Sequence, residues 1–581
     1  MALPSQLRAR PAGLLTQATD HGESWRMAMD RKATMNRRRF LQLTGASLAG
    51  MTLTPRRTLA SGTDAWKFGV MADTQWRTGA YSGGEPAACA TTIIDAVNQQ
   101  FIHHGVAFVI QVGDMVDVES VSGVRSLPTR AAHAIALYAA GIGFYPVRGN
   151  HEASAAAAQE IPVLFPQTLG IGPVLFGATD FESPVLRPTA TDPTGVRLRG
   201  LTYSFNYRNV RCVLVDQFTR LDGSGSTNSN TLDQLDWICG RVTSGTSGQH
   251  AFVFSHKNLA GQNHKDGLFG SSLTSNLAAR DTLISTMHST GARLYMGGHD
   301  HMHYRSVIAT RGGVHNVQQI ICASNSYKFY VPTTPNEVYE APVAHELFTL
   351  GYYIVTVDGP RVTVDYYSSS HGGDYADTNL VSPPGALRFY LRETFGYSLN
   401  GKQFVVPRGA SYTPVQDSWG GTSVQVLSGW NGNQENSYTG RPLSKSVNTG
   451  WSAPASQDAA ISNVLSLWGM ADNLALLDST LTGMLPDRDE SRQTDAYTLA
   501  LSFDPRVVRP SQLATGRVVL ASRNASGRWV NAVDMNSGGK GSFRYGAWRP
   551  EYGLGTYGVD PKSSRVWAVL DHDGDFVAKL L

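Results

Sequence analysis

VAFVIQVGDMVD, from Val106 to Asp117, is the stretch of sequence that decides the fold. Its first seven residues are apolar except for Gln111, and such a run is typical of a strand covered on both faces. The run stops at Gly113, so Asp114 would lie just beyond the carboxyl end of a buried strand. Because open α/β sheets bind their ligands at that edge, we predict that Asp114 belongs to a ligand site.

Four further strand candidates in the first 300 residues also end in polar residues. They lead into Asp73-Thr74-Gln75, Gly149-Asn150-His151-Glu152, His256 and Gly298-His299-Asp300-His301. Helix candidates lie between the strands, over Thr91–His104, Pro128–Ala140, Thr231–Val242 and Leu273–Thr290. This alternation predicts βαβ units and a largely parallel sheet. The mixture of carboxylate, carboxamide and imidazole groups at the strand ends suits zinc, iron or manganese.

Length and composition predict two domains, because 581 residues are too many for one ordinary core. We place an α/β domain over residues 61–370, a linker rich in Ser, Gly and Pro over residues 371–387, and a β-rich domain over residues 388–581. Residues 153–200 have little periodicity and read as a long surface insertion. We expect the strands between residues 314 and 370 to complete the second sheet of a sandwich.

The beginning of the chain, residues 1–60, is similar to an export signal. Asn36–Gln42 reads NRRRFLQ and resembles the twin-arginine (Tat) motif; an apolar stretch follows, and Thr58–Ala60 forms a cleavage-like site. The resemblance implies export by the Tat machinery and a periplasmic or secreted mature protein. Met35 stands directly before the motif, so we expect translation to begin there and residues 1–34 to be untranslated.

Charge and cysteine content exclude several other classes. The formal charge is +3, but residues 1–60 carry +7, which leaves −4 on the remainder and no nucleic-acid footprint. No apolar run reaches transmembrane length, so we expect no membrane anchor in the mature chain. The cysteines show no paired metal spacing, and buried free thiols are favoured over structural disulfides. They are Cys89, Cys212, Cys239 and Cys322.

The five polar segments, in this order and each after an apolar strand, resemble the calcineurin-like metallophosphoesterase superfamily over roughly residues 65–370. The resemblance implies a four-layer α/β/β/α sandwich and hydrolysis of phosphomonoesters or phosphodiesters by a hydroxide that bridges two metal ions. It also implies that one metal is held by Asp73, Gln75, Asp114 and His301, and the other by Asp114, Asn150, His256 and His299. His151 would act as general acid or charge stabiliser, and Asp117 would orient its imidazole.

The chain departs from the family pattern at two places. Gln75 stands where histidine is common, which could favour iron or manganese over zinc. Asp117 replaces the tyrosine of the purple acid phosphatases, and Val118-Glu119 replace the arginine and glycine of the protein serine/threonine phosphatases. An alternative stays open, namely a phosphate-ester-binding or wall- or glycan-binding protein on a degenerate phosphoesterase scaffold. The tryptophans of residues 388–581 are compatible with it, although burial in a β-domain explains them more simply.

Two residues and one loop close to the motifs are further candidates for a functional role. His303 continues the alternation of His299 and His301, and a solvent or substrate contact is favoured over a third ligand. Arg148 could grip phosphate or form a surface salt bridge. The loop Lys257–Gly270 could act as a lid, although a solvated loop is favoured.

Overall fold

The computed structural model describes most of the chain from residue 65 onward. The described residues are 65–77, 88–121, 124–226, 230–245, 248–333, 339–370, 387–406, 415–419, 422–429, 439–455, 458–470, 496–524, 526–537 and 541–581. The predicted export signal and start site, and all of the predicted linker except Leu387, lie outside them. Among these residues, no helix has both the length and the apolar character needed to cross a membrane.

Strands dominate the described residues. They are β1 (Trp66–Met71), β2 (Phe108–Val112), β3 (Ser120–Val121), β4 (Val124–Arg125), β5 (Gly143–Val147), β6 (Thr179–Glu182), β7 (Tyr203–Tyr207), β8 (Val210–Val215), β9 (His250–Ser255), β10 (Leu294–Gly297), β11 (His303–Ala309), β12 (Asn316–Ile321), β13 (Glu340–Glu346), β14 (Thr349–Asp358), β15 (Arg361–Ser370), β16 (Tyr390–Ser398), β17 (Gln403–Val406), β18 (Val415–Trp419), β19 (Thr422–Gly429), β20 (Lys445–Ser452), β21 (Val464–Trp468), β22 (Tyr497–Ser502), β23 (Val518–Arg523), β24 (Trp529–Asn531), β25 (Phe543–Tyr545), β26 (Tyr557–Asp560), β27 (Arg565–Leu570) and β28 (Gly574–Leu580). The α-helices are α1 (Thr91–His104), α2 (Ser126–His133), α3 (Ile135–Ala139), α4 (Ala155–Leu164), α5 (Leu235–Thr243), α6 (Leu277–Thr290) and α7 (Pro510–Ala514).

The amino-terminal half is an α/β/β/α sandwich, as predicted. The first sheet has the order β16-β15-β14-β1-β2-β5, and the second has the order β13-β11-β12-β10-β9-β8-β7-β6. Helices α1 to α4 cover the outer face of the first sheet, and α5 and α6 cover the outer face of the second. The inner faces of both sheets share one core.

Strand β2 shows why its sequence is an almost unbroken apolar run. Phe108, Ile110 and Val112 point into the core between the sheets, whereas Val109 packs under the helices. Gln111 also faces the helices, where its amide oxygen accepts a hydrogen bond from buried Arg130 at 2.6 Å. Both faces of β2 are therefore buried, and Gln111, its one polar residue, is hydrogen-bonded.

The prediction that all strands between residues 314 and 370 complete the second sheet is wrong for the last two. Strands β14 and β15 join the first sheet, because β14 pairs antiparallel with β1. Ile354 of β14 packs under the helices and Tyr353 packs between the sheets. Since both faces of β14 are buried, its sequence does not indicate which sheet it joins. Strand β16 extends this sheet further by pairing with β15, although the sequence assigns residues 390–398 to the second domain.

Two local expectations are also corrected. The helix predicted over Pro128–Ala140 is divided at Ala134 into α2 and α3. Residues 153–200 are more than a surface insertion, because α4 buries Ala157 and Ile161 in the core under the first sheet. The four cysteines are free, and all except the half-exposed Cys239 are buried, as expected.

The carboxyl-terminal region contains two more six-stranded sheets. Their orders are β17-β20-β21-β28-β23-β24 and β18-β19-β22-β27-β26-β25, and residues of both pack in one core. The prediction that this region is β-rich is therefore confirmed. The turn at Asp573-Gly574 leads from β27 to β28, which belong to opposite sheets. Trp451 and Trp567 are fully buried, in line with the simpler explanation of such residues.

Candidate metal centre

The carboxyl ends of parallel strands bring the polar segments to one edge. Strands β1, β2 and β5 are parallel in the first sheet, and β9 and β10 are parallel in the second. Asp73 follows β1, Asp114 follows β2, Asn150 opens a 3-10 turn after β5, His256 follows β9, and His299 and His301 follow β10. Main-chain bonds lock the segments together, such as Asp73 N to Gly113 O at 3.2 Å and Gly298 N to His256 O at 2.9 Å.

Two groups of potential metal ligands meet there and share one carboxylate. Asp114, His256 and His299 offer ligand atoms within 4.8 Å of one another, and so do Asp73, Asp114 and His301. All five side chains are buried. Asp114 belongs to both groups, which is the arrangement expected of a bridging ligand.

The two remaining predicted ligands, Asn150 and Gln75, join the same cluster. Asn150 Oδ1 lies 3.0 Å from His256 Nε2. The Gln75 amide nitrogen lies 3.0 Å from Asp114 Oδ2 and 3.1 Å from His301 Nε2. Each of these side chains therefore touches members of the group to which the sequence assigned it.

The backbone at the centre is strained. Asp73, Asp114, His299 and His301 have φ angles of 49°, 43°, 72° and 52°. Residues other than glycine rarely adopt this left-handed backbone conformation. Such residues cost on the order of 1–3 kcal/mol each and cluster at functional sites. Four of the seven predicted ligands carry this strain, so the surrounding structure fixes their positions at the expense of stability.

Three glycines allow the ligands to approach so closely. A Cβ atom at Gly149 would lie 1.9 Å from Asp114 Oδ1, and one at Gly298 would lie 2.6 Å from Asp73 Oδ2. At Gly113, where φ is +87°, it would lie 2.3 Å from His256 Nδ1. These glycines are part of the same motifs as the ligands, and a side chain at any of the three would displace a ligand.

The donor set fits two metal ions. Asp73 Oδ2 and Gln75 Oε1 are buried and have no hydrogen-bond partner among the described residues. A buried oxygen left unpaired costs about 1–3 kcal/mol, so such atoms call for a ligand. A mixed set of carboxylate, amide and imidazole donors matches borderline transition metals.

Electrostatics keep Asp114 ionised. Burial acts to raise the pKa of Asp114, but the charges of His256 and His151 and a hydrogen bond from His256 bring it well below its usual range. His256 responds in the opposite sense: burial acts to lower its pKa, and Asp114 raises it to about 9. In the metal-free protein this pair therefore carries a proton that metal binding would release.

The other two histidines are held in the neutral form that binds metals. Burial lowers the pKa of His299 to about 4 and the pKa of His301 well below its ordinary value. Each ring is oriented through one nitrogen, as is usual for metal-binding histidines. His299 Nε2 bonds Asp266 Oδ1 at 3.1 Å, and His301 Nδ1 donates to the Lys328 carbonyl at 2.9 Å.

His151, the predicted general acid or charge stabiliser, lies beside the cluster. Its Nε2 is 3.9 Å from Asp114 Oδ2, and its side chain is 23% exposed. The orienting contact attributed to the Asp117 side chain is made mainly by the Asp117 main chain. His151 Nδ1 donates to that carbonyl at 2.6 Å, whereas the Asp117 carboxylate is 3.5 Å away.

The other candidates near the motifs are buried in the structure, and their contacts are with other parts of the protein. Arg148 is buried and pairs with Asp216 through two hydrogen bonds, which leaves the phosphate-gripping role without support. His303 is buried between Tyr353 and Glu393, so the expected solvent or substrate contact is wrong. Much of the loop Lys257–Gly270 is buried rather than solvated.

Two residues near the centre were missed by the sequence analysis. Lys328 places its ammonium 3.3 Å from His151 Nε2, and Asp266 anchors His299. Lys328 follows β12, which runs parallel to β10, so its segment reaches the same edge as the motifs. Recognising β12 as a parallel strand would have drawn attention to it.

The fold is of the metallophosphoesterase type, and a comparison with protein families points the same way. Residues 67–303 match the family described as Calcineurin-like phosphoesterase. Among curated proteins, none matches the chain.

Three solved structures are similar to part of the chain. A purple acid phosphatase from seeds of yellow lupin (Lupinus luteus) is 12% identical with a TM-score of 0.35, over 58% of this chain and 54% of its own. A dimetal phosphatase from Danio rerio is 15% identical with a TM-score of 0.29, over 52% and 95%. GAP50, the anchor in the inner membrane complex of Plasmodium, is 11% identical with a TM-score of 0.29, over 56% and 88%. The match thus spans about half of the lupin enzyme.

Proposed function

We propose that this protein is an exported phosphoric ester hydrolase that works with two metal ions. The observation that carries the proposal is the pair of ligand groups that share Asp114 at the carboxyl edge of the sandwich. Two ions held there would lower the pKa of a bound water and neutralise charge on a phosphate group. Manganese, iron and zinc all suit the donor set.

The protein's own residues have separate tasks in this proposal. Asp114 would hold both ions, and Asp73, Gln75 and His301 would complete one group. Asn150, His256 and His299 would complete the other group. His151 lies outside both groups and is partly exposed, so it can face the leaving oxygen of a bound ester.

Substitutions separate these tasks. Asp114→Asn should abolish hydrolysis and lower the amount of bound metal, because the bridging charge is lost. His151→Ala should keep the metal content and lose most of the rate, by roughly 10²-fold or more for a group acting on the leaving oxygen. Metal content is measured by plasma mass spectrometry of the purified proteins. An equal loss of metal in both variants would contradict the assignment.

The direct test compares two esters. The mature protein is loaded with manganese, zinc or iron and assayed with p-nitrophenyl phosphate and bis-p-nitrophenyl phosphate, with Asp114→Asn as the blank. Hydrolysis that the variant lacks supports the proposal, and the preferred ester distinguishes a monoesterase from a diesterase. No hydrolysis above the blank, with metal bound, would favour a binding protein on a degenerate scaffold.

Export is a separate part of the proposal and rests on the Tat-like motif at Asn36–Gln42. The expected result is a mature protein whose amino terminus lies close to residue 60. Replacing Arg37 and Arg38 with lysine should retain the protein in the cytoplasm. Unchanged export of that variant would argue against the Tat route.

A further inference from the structure

Lys328 places a cation beside the predicted catalytic histidine. It belongs to the segment after β12, and its main-chain carbonyl accepts the hydrogen bond that orients His301. Its side chain turns the other way, toward His151, with 3.3 Å between Nζ and Nε2. Lys328 is half-buried and the His151 side chain is 23% exposed, so a substrate can reach both.

Hydrogen-bond chemistry determines which of Lys328 and His151 is the donor. A carbonyl oxygen can only accept, so His151 Nδ1 carries the hydrogen in its 2.6 Å bond to Asp117 O. An ammonium can only donate, so His151 Nε2 is the acceptor for Lys328. In this arrangement His151 holds the ammonium in place. Within the described residues, this contact occupies one of the three donors of Lys328 and leaves two for another acceptor.

The charge of Lys328 reaches the ligand cluster. Burial is the main influence on the pKa of Asp73, which it raises, and on the pKa of His301, which it lowers. The positive charge of Lys328 pulls the pKa of both groups downward. Lys328 thus adds a fixed positive charge to a site whose ligands include two carboxylates.

We propose that Lys328 is a substrate-binding residue whose ammonium donates hydrogen bonds to a phosphoryl oxygen, with His151 as its positioning partner. This inference rests on the proposed function, because it assigns the oxygen of a metal-held phosphate group as the acceptor. Lysine binds phosphate as a compact point charge, and such charge-assisted bonds are stronger than neutral ones. The pairing also gives His151 a task in the substrate-free protein, which is to aim the ammonium at the site.

The test measures phosphate binding as well as turnover. Inorganic phosphate is titrated calorimetrically into the metal-loaded wild type and into Lys328→Met, Lys328→Gln and Lys328→Arg. We expect the two neutral variants to bind phosphate at least tenfold more weakly at unchanged metal content, and Lys328→Arg to bind within about threefold of wild type. For p-nitrophenyl phosphate, the KM of the neutral variants should rise in parallel. Lys265→Met is the matched control, because it removes an exposed lysine from the loop that carries His264 and Asp266.

Each outcome has a defined meaning. Phosphate binding by Lys328→Met or Lys328→Gln that equals that of the wild type overturns the inference while leaving the phosphoesterase proposal intact. A loss of metal from both neutral variants also overturns it, because Lys328 would then be a structural counter-charge. An equal loss of phosphate binding in Lys265→Met would also overturn the inference, because the effect of Lys328 would then be that of any nearby positive charge. A wild type that holds metal but neither binds phosphate nor hydrolyses esters would refute the proposed function itself.

Discussion

Asp114 is the residue on which the site depends. One of its oxygens accepts from the His151 main-chain nitrogen at 3.1 Å, and the other accepts from Gln75 at 3.0 Å. The same side chain completes both groups of ligands. It sits in a strained conformation, and Gly149 leaves room for its carboxylate. Its position is therefore fixed before any metal binds, which is the property that a preorganised centre needs.

Gly149→Ala tests this preorganisation without touching a ligand. The new methyl group would overlap Asp114 Oδ1, so we expect bound metal and ester hydrolysis to fall at least tenfold while the far-ultraviolet circular dichroism stays native. Gly240→Ala is the control, because a Cβ in that helix meets open space and alanine is the better helix former by about 1 kcal/mol. Full metal content in Gly149→Ala would show that the approach of Gly149 to Asp114 is not required.

Residue types in the sequence indicated the candidate ligands but not the residues that position them. The seven predicted ligands meet because each follows a strand whose carboxyl end lies at one edge. The contact between the Asp117 carbonyl and His151 could not be predicted from residue type, since every residue has a main-chain carbonyl. Lys328 belongs to no motif, and only the direction of β12 brings it to the site.

At the scale of elements, strand β9 carries a buried histidine at each end. His256 follows the strand at the metal centre. His250 opens it, donates through Nε2 to the Gly359 carbonyl at 2.8 Å, and packs edge-on against Tyr397 of β16. Burial lowers the pKa of His250 to about 4. His250 is therefore neutral in the folded protein at neutral pH.

His250 should make folding pH-dependent. The unfolded chain takes up a proton near its ordinary pKa of about 6.5, whereas the folded protein resists it down to about pH 4. The stability contributed by this difference is complete above pH 6.5 and is lost as the pH falls toward 4. Between pH 7.5 and pH 5.0 the loss amounts to about 2 kcal/mol.

The measurement is urea unfolding of the wild type and of His250→Gln at both pH values. Glutamine can still donate to Gly359 but does not titrate. We expect the variant to lose about 2 kcal/mol less than the wild type between pH 7.5 and pH 5.0. An identical pH dependence in both proteins would contradict the role assigned to His250.

The sequence predicted elements well where periodicity or strand ends were clear, and less well where burial was two-sided. Helix α1 spans the residues that its apolar spacing indicated. The sheet to which β14 and β15 belong could not be predicted, because a strand buried on both faces carries no sign of its neighbours. The division of Pro128–Ala140 into α2 and α3 was also missed, since the apolar spacing continues across Ala134.

At the scale of the whole molecule, residues of the carboxyl-terminal region contact the sandwich. Arg441 bonds the Glu340 carboxylate at 2.7 Å and the Glu340 carbonyl at 2.8 Å. The other carboxylate oxygen accepts from Gln262, in the loop that follows His256, at 2.7 Å. Ser444 N also donates to Pro342 O. These contacts were not predicted from the sequence, which indicated a linker between two separate domains.

Arg441→Met tests the value of this contact. Burial raises the pKa of Glu340 and Arg441 opposes that effect, so removing the arginine leaves a buried carboxylate without its cation. We expect a loss of about 3 kcal/mol in the free energy of unfolding, measured by urea denaturation. Arg506→Met is the control, because the Arg506 side chain is 88% exposed and solvent screens its pair with Asp504, so its loss should have little effect. Equal small losses in both variants would show that the Arg441 contact contributes nothing beyond a surface pair.

The shared carboxylate is the central claim, and electron paramagnetic resonance of the manganese-loaded protein tests it most directly. We predict two manganese ions per chain with the multiline spectrum of an exchange-coupled pair. In Asp114→Asn the coupling should disappear and the manganese content should fall. A wild-type spectrum of isolated ions only, or a coupled pair that survives in Asp114→Asn, would contradict the account.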